Sequence, residues 1–178
     1  MKTFLLSSVA ALMLAGAANA TLAQSPRNVF DGKGDYISIN ESVLPHGKAI
    51  NTDFVSKKAM KDLSKSFKNS AGASWEQSTD GVVATFNDGD IKDAIYYDKK
   101  GNWQATMKSY FESSLNKNVR AIVKQKYFDD KITYIQEIVT VNSQDTPTYI
   151  VHLEGATDFK LVRVQDGAMD VLEQYNKN

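Results

Sequence analysis

No cysteine occurs among the 178 residues. That excludes disulfides, thiol nucleophiles, cysteine-type zinc sites and lipid attachment to an N-terminal cysteine. Proline is scarce (3) and glycine modest (10), which excludes a collagen-like chain. Hydrophobic residues at 42% against charged residues at 24% exclude a disordered chain or one that crosses a membrane many times. Neither charge sign is in excess: 21 Lys and Arg stand against 21 Asp and Glu, so nothing calls for nucleic acid or an anionic membrane as a partner. What remains is enough chain for one ordinary domain, or two small units sharing a core.

The start of the chain reads as an address. Lys2 precedes an apolar run from Phe4 to Ala15, and Ala18-Asn19-Ala20 places small residues where a signal peptidase needs them. The apolar run is shorter than the ~20 residues a spanning helix requires. Residues 1–20 are therefore expected to be a cleaved secretory signal peptide, and the mature protein to reside in the periplasm or outside the cell. The alternative is an uncleaved anchor, and Thr21-Leu22-Ala23 offers a second cleavage position. Without disulfides, the core alone must hold the exported fold.

Residues 21–52 are rich in Asn, Gly and Ser and read as an N-terminal arm or linker, with Asp35–Ile39 alternating enough for an edge strand. A helix is expected next, capped by Thr52 or Asp53. Val55, Ala59, Leu63 and Phe67 form its apolar stripe, and Lys57, Lys58, Lys61, Lys65 and Lys68 a solvated face. Strand-like runs follow at 74–77, 81–86, 91–97 and 102–108, joined by turn residues such as Asn87-Asp88-Gly89-Asp90 and Asp98-Lys99-Lys100-Gly101. The pattern then repeats. Ser113 or Ser114 is expected to cap a second helix with Leu115, Val119, Ile122, Val123 and Tyr127 inside, ahead of strands at 132–141, 148–154, 158–164 and 168–174. A helix followed by four strands, seen twice, predicts an α+β fold of two tandem helix-plus-antiparallel-sheet units, 53–110 and 111–178, with the helices on one face.

The first unit carries Trp75, then Ala84 and Phe86 in the next strand, then Tyr97-Asp98-Lys99-Lys100-Gly101-Asn102-Trp103. This resembles the PepSY-like, β-lactamase-inhibitor-protein-like (BLIP-like) family of small secreted bacterial proteins. Two departures stand out: Val82 replaces an aromatic, and the second unit's turn, Val164 to Met169, is one residue shorter with Met in place of Trp. The resemblance implies tandem units whose open sheet faces form a shallow concave surface, which the named inhibitor uses to grip an enzyme. It carries no contact residue over to this chain. The hairpin residues have their own structural account. Asp98 can accept from turn amides, Gly101 can take positive φ, and Tyr97 and Trp103 can pair across strands.

Alternation along the strands adds a functional expectation. If Ile95 and Tyr97 face the helix, Tyr96 must face away, and His152 opposes Val151 and Leu153. Aromatic residues on the outward face fit a binding surface, because they bury large rigid areas at low entropy cost. The partner-binding candidates are Trp75, Tyr96, Trp103, Tyr134 and His152. The N-terminal arm or a second copy is an alternative cover for that face.

Catalytic chemistry is thin. There are two histidines, His46 in a turn and His152 in a strand, and no Gly-x-Ser-x-Gly. Two histidines without helix spacing give no zinc site. Asn87–Asp90 lacks the alternating ligands and closing Glu of a calcium loop. No cofactor motif is present. The sequence thus predicts a non-enzymatic exported module that binds a protein or peptide of the envelope or exterior. The alternative is a small-ligand-binding envelope protein, and a hydrolase of unfamiliar type comes last.

Overall fold

The computed structural model describes residues 48–143 and 146–177, together with the backbone of two short segments, 28–30 and 36–38. The expected leader and most of the arm lie outside the described residues. Within the arm, Asn28–Phe30 (β1) pairs antiparallel with Tyr36–Ser38 (β2). The alternating run at 35–39 thus supplies a strand of a separate two-stranded sheet and no edge to the main one.

The main sheet is antiparallel and eight-stranded: Ser74–Gln77 (β3), Gly81–Asp88 (β4), Ile91–Asp98 (β5), Trp103–Tyr110 (β6), Lys131–Thr140 (β7), Thr148–Glu154 (β8), Asp158–Gln165 (β9) and Ala168–Asn176 (β10). Each strand pairs with its sequence neighbour, so spatial order follows chain order from β3 to β10. With two α-helices, Lys57–Ser66 (α1) and Lys117–Lys126 (α2), the architecture is α+β as expected.

Both helices start later than Thr52, Asp53, Ser113 and Ser114 suggest. Thr52–Phe54 forms a 3-10 turn whose cap is Asn51, and Ser56 then caps α1 by accepting from the Lys58 N–H at 3.2 Å. The chain repeats this ahead of α2: Glu112–Ser114 is a 3-10 turn, and Asn116 accepts from the Asn118 N–H at 2.9 Å. The reason is burial. Val55 and Leu115 adopt extended backbone just after each turn and drop their side chains into the core, so a continuous helix through them is broken.

Cross-strand register fixes the two faces. Trp75 lies opposite Ala84, Ala84 opposite Ile95, and Ile95 opposite Thr106. Trp75, Ala84 and Ile95 pack with Val55, Ala59 and Leu63 beneath α1. Tyr110 opposes Ile135, which opposes Val151, which opposes Val162, and these pack with Val119 and Val123 beneath α2. Unbroken pairing between β6 and β7 places both helices on the same face.

The Asp98 hairpin is a structural junction. Asp98 Oδ1 accepts from the Lys100 and Asn102 N–H groups at 2.8 Å each, and its Oδ2 accepts from Asn102 Nδ2 at 2.7 Å. Hydrogen bonds from Asn102 hold the Asp98 carboxyl below the usual carboxylate range. Gly101 has φ of 77°, and a Cβ there would collide with Ser56 Oγ. The turn therefore presses on the N-cap of α1.

Candidate functional site

The face away from the helices carries a third apolar cluster, running across six strands: Val83 (β4), Ala94 (β5), Met107 (β6), Ile138 (β7), Ile150 (β8) and Leu161 (β9). Tyr96 and Leu172 flank it. None of the six core members is more than 4% exposed. The sequence predicts an open binding face, with the N-terminal arm or a second copy as its alternative cover; the centre of that face is sealed.

Polar side chains stand among these residues. Gln136 opposes Ser109 and sends Nε2 to Met107 Sδ at 3.8 Å. Arg163 opposes Asp170, with Nη2 to Oδ2 at 2.6 Å. Three buried side-chain atoms have no hydrogen-bond partner among the described residues: Glu76 Oε2, Thr85 Oγ1 and Ser109 Oγ. By register all three belong to this face, because Glu76 opposes Val83, Thr85 opposes Ala94, and Ser109 alternates with Met107. Burial pushes the Tyr96 hydroxyl up to about 12.

Of the five residues singled out from sequence, three stand here and two do not. Tyr96 borders the cluster. Tyr134 opposes His152 with ring centroids 5.4 Å apart, and Phe111 meets the Tyr134 ring edge-on at 6.3 Å. That aromatic corner includes an exposed residue, Phe111, which sequence reasoning missed; its position directly after the β6 strand was the available signal. Trp75 is a correction. It is buried on the helix side, its ring 5.9 Å from Tyr97, because its neighbour in register is Ala84, which faces α1. Trp103 is also on the helix side. It packs against the cluster under α1 and donates through Nε1 to Thr106 Oγ1 at 3.0 Å. Both tryptophans serve the core under α1.

The helix face holds a second polar feature, in the gap between α1 and α2. Asp93, Lys108 and Glu137 are consecutive cross-strand neighbours on β5, β6 and β7. Tyr110 donates to Glu137 Oε2 at 2.6 Å, and burial together with that bond raises the Tyr110 hydroxyl. Asp93 is 4% exposed, and desolvation lifts its carboxyl from 3.8 to about 6 against the opposing pull of Lys108. A cleft of about 380 Å³ opens beside it, walled by Phe67, Phe86 and Ile91 together with Lys68, Asp88 and Lys108. Among the described residues no three metal-ligating side chains converge.

No family model matches the chain, and no curated relative matches it. Solved structures do. A BLIP-like protein from Bacteroides fragilis superposes with a TM-score of 0.56 at 17% identity, covering 68% of this chain and 86% of that one. A DUF2874 family protein from Bacteroides uniformis gives 0.54 at 11% identity, covering 68% and 89%. A Bacteroides eggerthii protein whose description places it provisionally in the periplasm gives 0.54 at 14% identity, covering 69% and 89%.

Proposed function

We propose, from the premise that this chain carries the BLIP-like fold, that it is an exported, non-enzymatic binding module. It recognises a protein or peptide with the sheet face away from its helices. The chain is read as a signal peptide, an arm at 21–52 and two tandem units at 53–110 and 111–178; the repeated order of 3-10 turn, helix and four strands supports that division. Likeness to a protein described as periplasmic supports export, and among the described residues no helix is long and apolar enough to cross a membrane.

One observation carries the binding reading. The outward face combines an apolar stripe, an aromatic corner and buried polar atoms that lack partners, at the place where an ordinary solvated sheet would show polar side chains. Unpaired buried acceptors and hydroxyls are costly, about 1–3 kcal/mol each, and a bound chain can satisfy them. The test is photo-crosslinking in the envelope with benzoylphenylalanine at Tyr96 or Tyr134. A discrete adduct is expected from these positions and none from Lys61 on the outer side of α1. Equal labelling from Lys61, or none from either tyrosine, refutes the reading.

Small-ligand binding has one observation in its favour, the cleft beside Asp93, where a desolvated carboxyl adjoins a lining of mixed apolar and charged side chains. Binding of a small cation that is lost in Asp93→Asn would support it.

A further inference from the structure

The stripe away from the helices is covered, yet neither helix and no strand of the main sheet is layered on it. A side chain on the bare face of one sheet is screened sideways, by neighbours on strands about 4.8 Å away, and remains open to water from above. Six side chains at 4% exposure or less cannot arise that way. The helices pack on the opposite face, and the cluster's own partly buried neighbours, Tyr96 and Leu172, belong to the sheet. The sealed, unpartnered atoms of Glu76, Thr85 and Ser109 lie on the same face, so whatever excludes water there also withholds their natural partner from the described residues.

We propose that residues 21–47 of the chain itself lie across this face as an intramolecular strap. The strap occupies the surface assigned above to a partner; only that last clause rests on the proposed function.

Where the described chain begins favours this occupant. Lys48–Ile50 runs along the outer edge of β3: Gln77 N–H donates to the Lys48 carbonyl at 3.2 Å, Ile50 N–H donates to the Trp75 carbonyl at 3.0 Å, and Ala49 bridges Glu76. Lys48 thereby stands at the sheet edge near Glu76, whose side chain belongs to the sealed face. Fully extended, residues 21–47 reach roughly 90 Å, against roughly 34 Å across eight strands. That length suffices to span the sheet even with the chain reversal implied by the antiparallel pairing of β1 with β2. The segment's sequence supplies apolar pairs for the stripe at Val29-Phe30, Tyr36-Ile37 and Val43-Leu44. Its backbone amides supply donors of the kind that Glu76 Oε2 lacks.

The mature chain has no cysteine, so a nitroxide on Ser38→Cys labels one position. In the full mature chain it should more than halve the methyl NMR signals of Met107, Ile138 and Ile150, and spare those of Leu63 and Val123 beneath the helices. A chain lacking residues 21–47 but retaining its far-UV dichroism should expose the stripe methyls to a dissolved gadolinium chelate. It should also bind an apolar dye several-fold more brightly. Unaffected stripe methyls in the labelled full chain overturn the strap, even if the shortened chain fails to fold. Shielding that vanishes on dilution also overturns it and assigns the cover to a second copy. A confirmed strap with no crosslink from Tyr96 would refute the partner alone; a crosslink without nitroxide broadening would refute the strap alone.

Discussion

Asp93 shows how one residue is set by its surroundings. Its β5 neighbours Ile91 and Ile95 face the helices, so alternation forces its carboxyl inward. Lys108 opposes it, while Asp88 and Glu137 add negative charge nearby. Desolvation outweighs the lysine, and the folded-state value rises from 3.8 to about 6. A carboxyl raised on folding favours the native state when protonated, so its penalty is fully present near pH 7. That penalty fades as pH falls through 6 and is gone below about 4. Asp93→Asn is expected to stabilise the protein at pH 7 by on the order of 2 kcal/mol. The gain should shrink to nothing near pH 4, read by urea denaturation at each pH. A variant of equal or lower stability at pH 7 would show that Lys108 compensates fully.

At the scale of elements, the Asp98 hairpin and the start of α1 act as one part. Gly101 combines positive φ with contact at Ser56, whereas Gly89, φ of 62° in the β4–β5 turn, has open space where its Cβ would go. Gly89→Ala should cost about 1 kcal/mol from backbone strain alone. Gly101→Ala should cost clearly more, because it also displaces the cap of α1. Urea midpoints of the two variants give the difference directly, and equal losses would sever the hairpin from the helix. This part of the fold was legible in the sequence, as were the strands: turn residues punctuate them, and β3 and β8 run over the residues that alternation assigns. Helix starts were harder to read. Asn51 and Ser56 divide between two caps the work that the sequence pattern assigns to Thr52 or Asp53, and nothing local announces a 3-10 turn. The outward placement of Tyr96 and His152 followed from alternation. Trp75 and Trp103 were misplaced because residue type carries no direction; only the pairing of Trp75 with Ala84 and the packing of Trp103 under α1 reveal theirs. The row of Asp93, Lys108 and Glu137 was invisible for a similar reason, since register between strands far apart in sequence creates it.

At the scale of the whole molecule, the seam is the pairing of β6 with β7, running from Ala105 opposite Thr140 to Tyr110 opposite Ile135. Apolar clusters on both faces draw residues from strands on either side of that seam: Tyr110 joins the cluster under α2, and Met107 packs with Ile138. The two helix-and-strand halves should therefore unfold together. Both tryptophans report on the cluster under α1, whereas far-UV dichroism reports on every strand. Their urea transitions are expected to coincide, and a tryptophan transition that separates from the dichroism would mean the halves melt independently.

The last strand of the row has a different consequence. Leu172 sits as one residue too many between the Val171–Val162 and Glu173–Leu161 pairs, so β10 is bent out of step with β9. A rim kinked in this way offers no straight template for the next molecule to copy, and the acids Asp170 and Glu173 flank the kink. A ribbon that is greasy above and below can in this way stay finite, stopping at its eighth member instead of growing into a fibre.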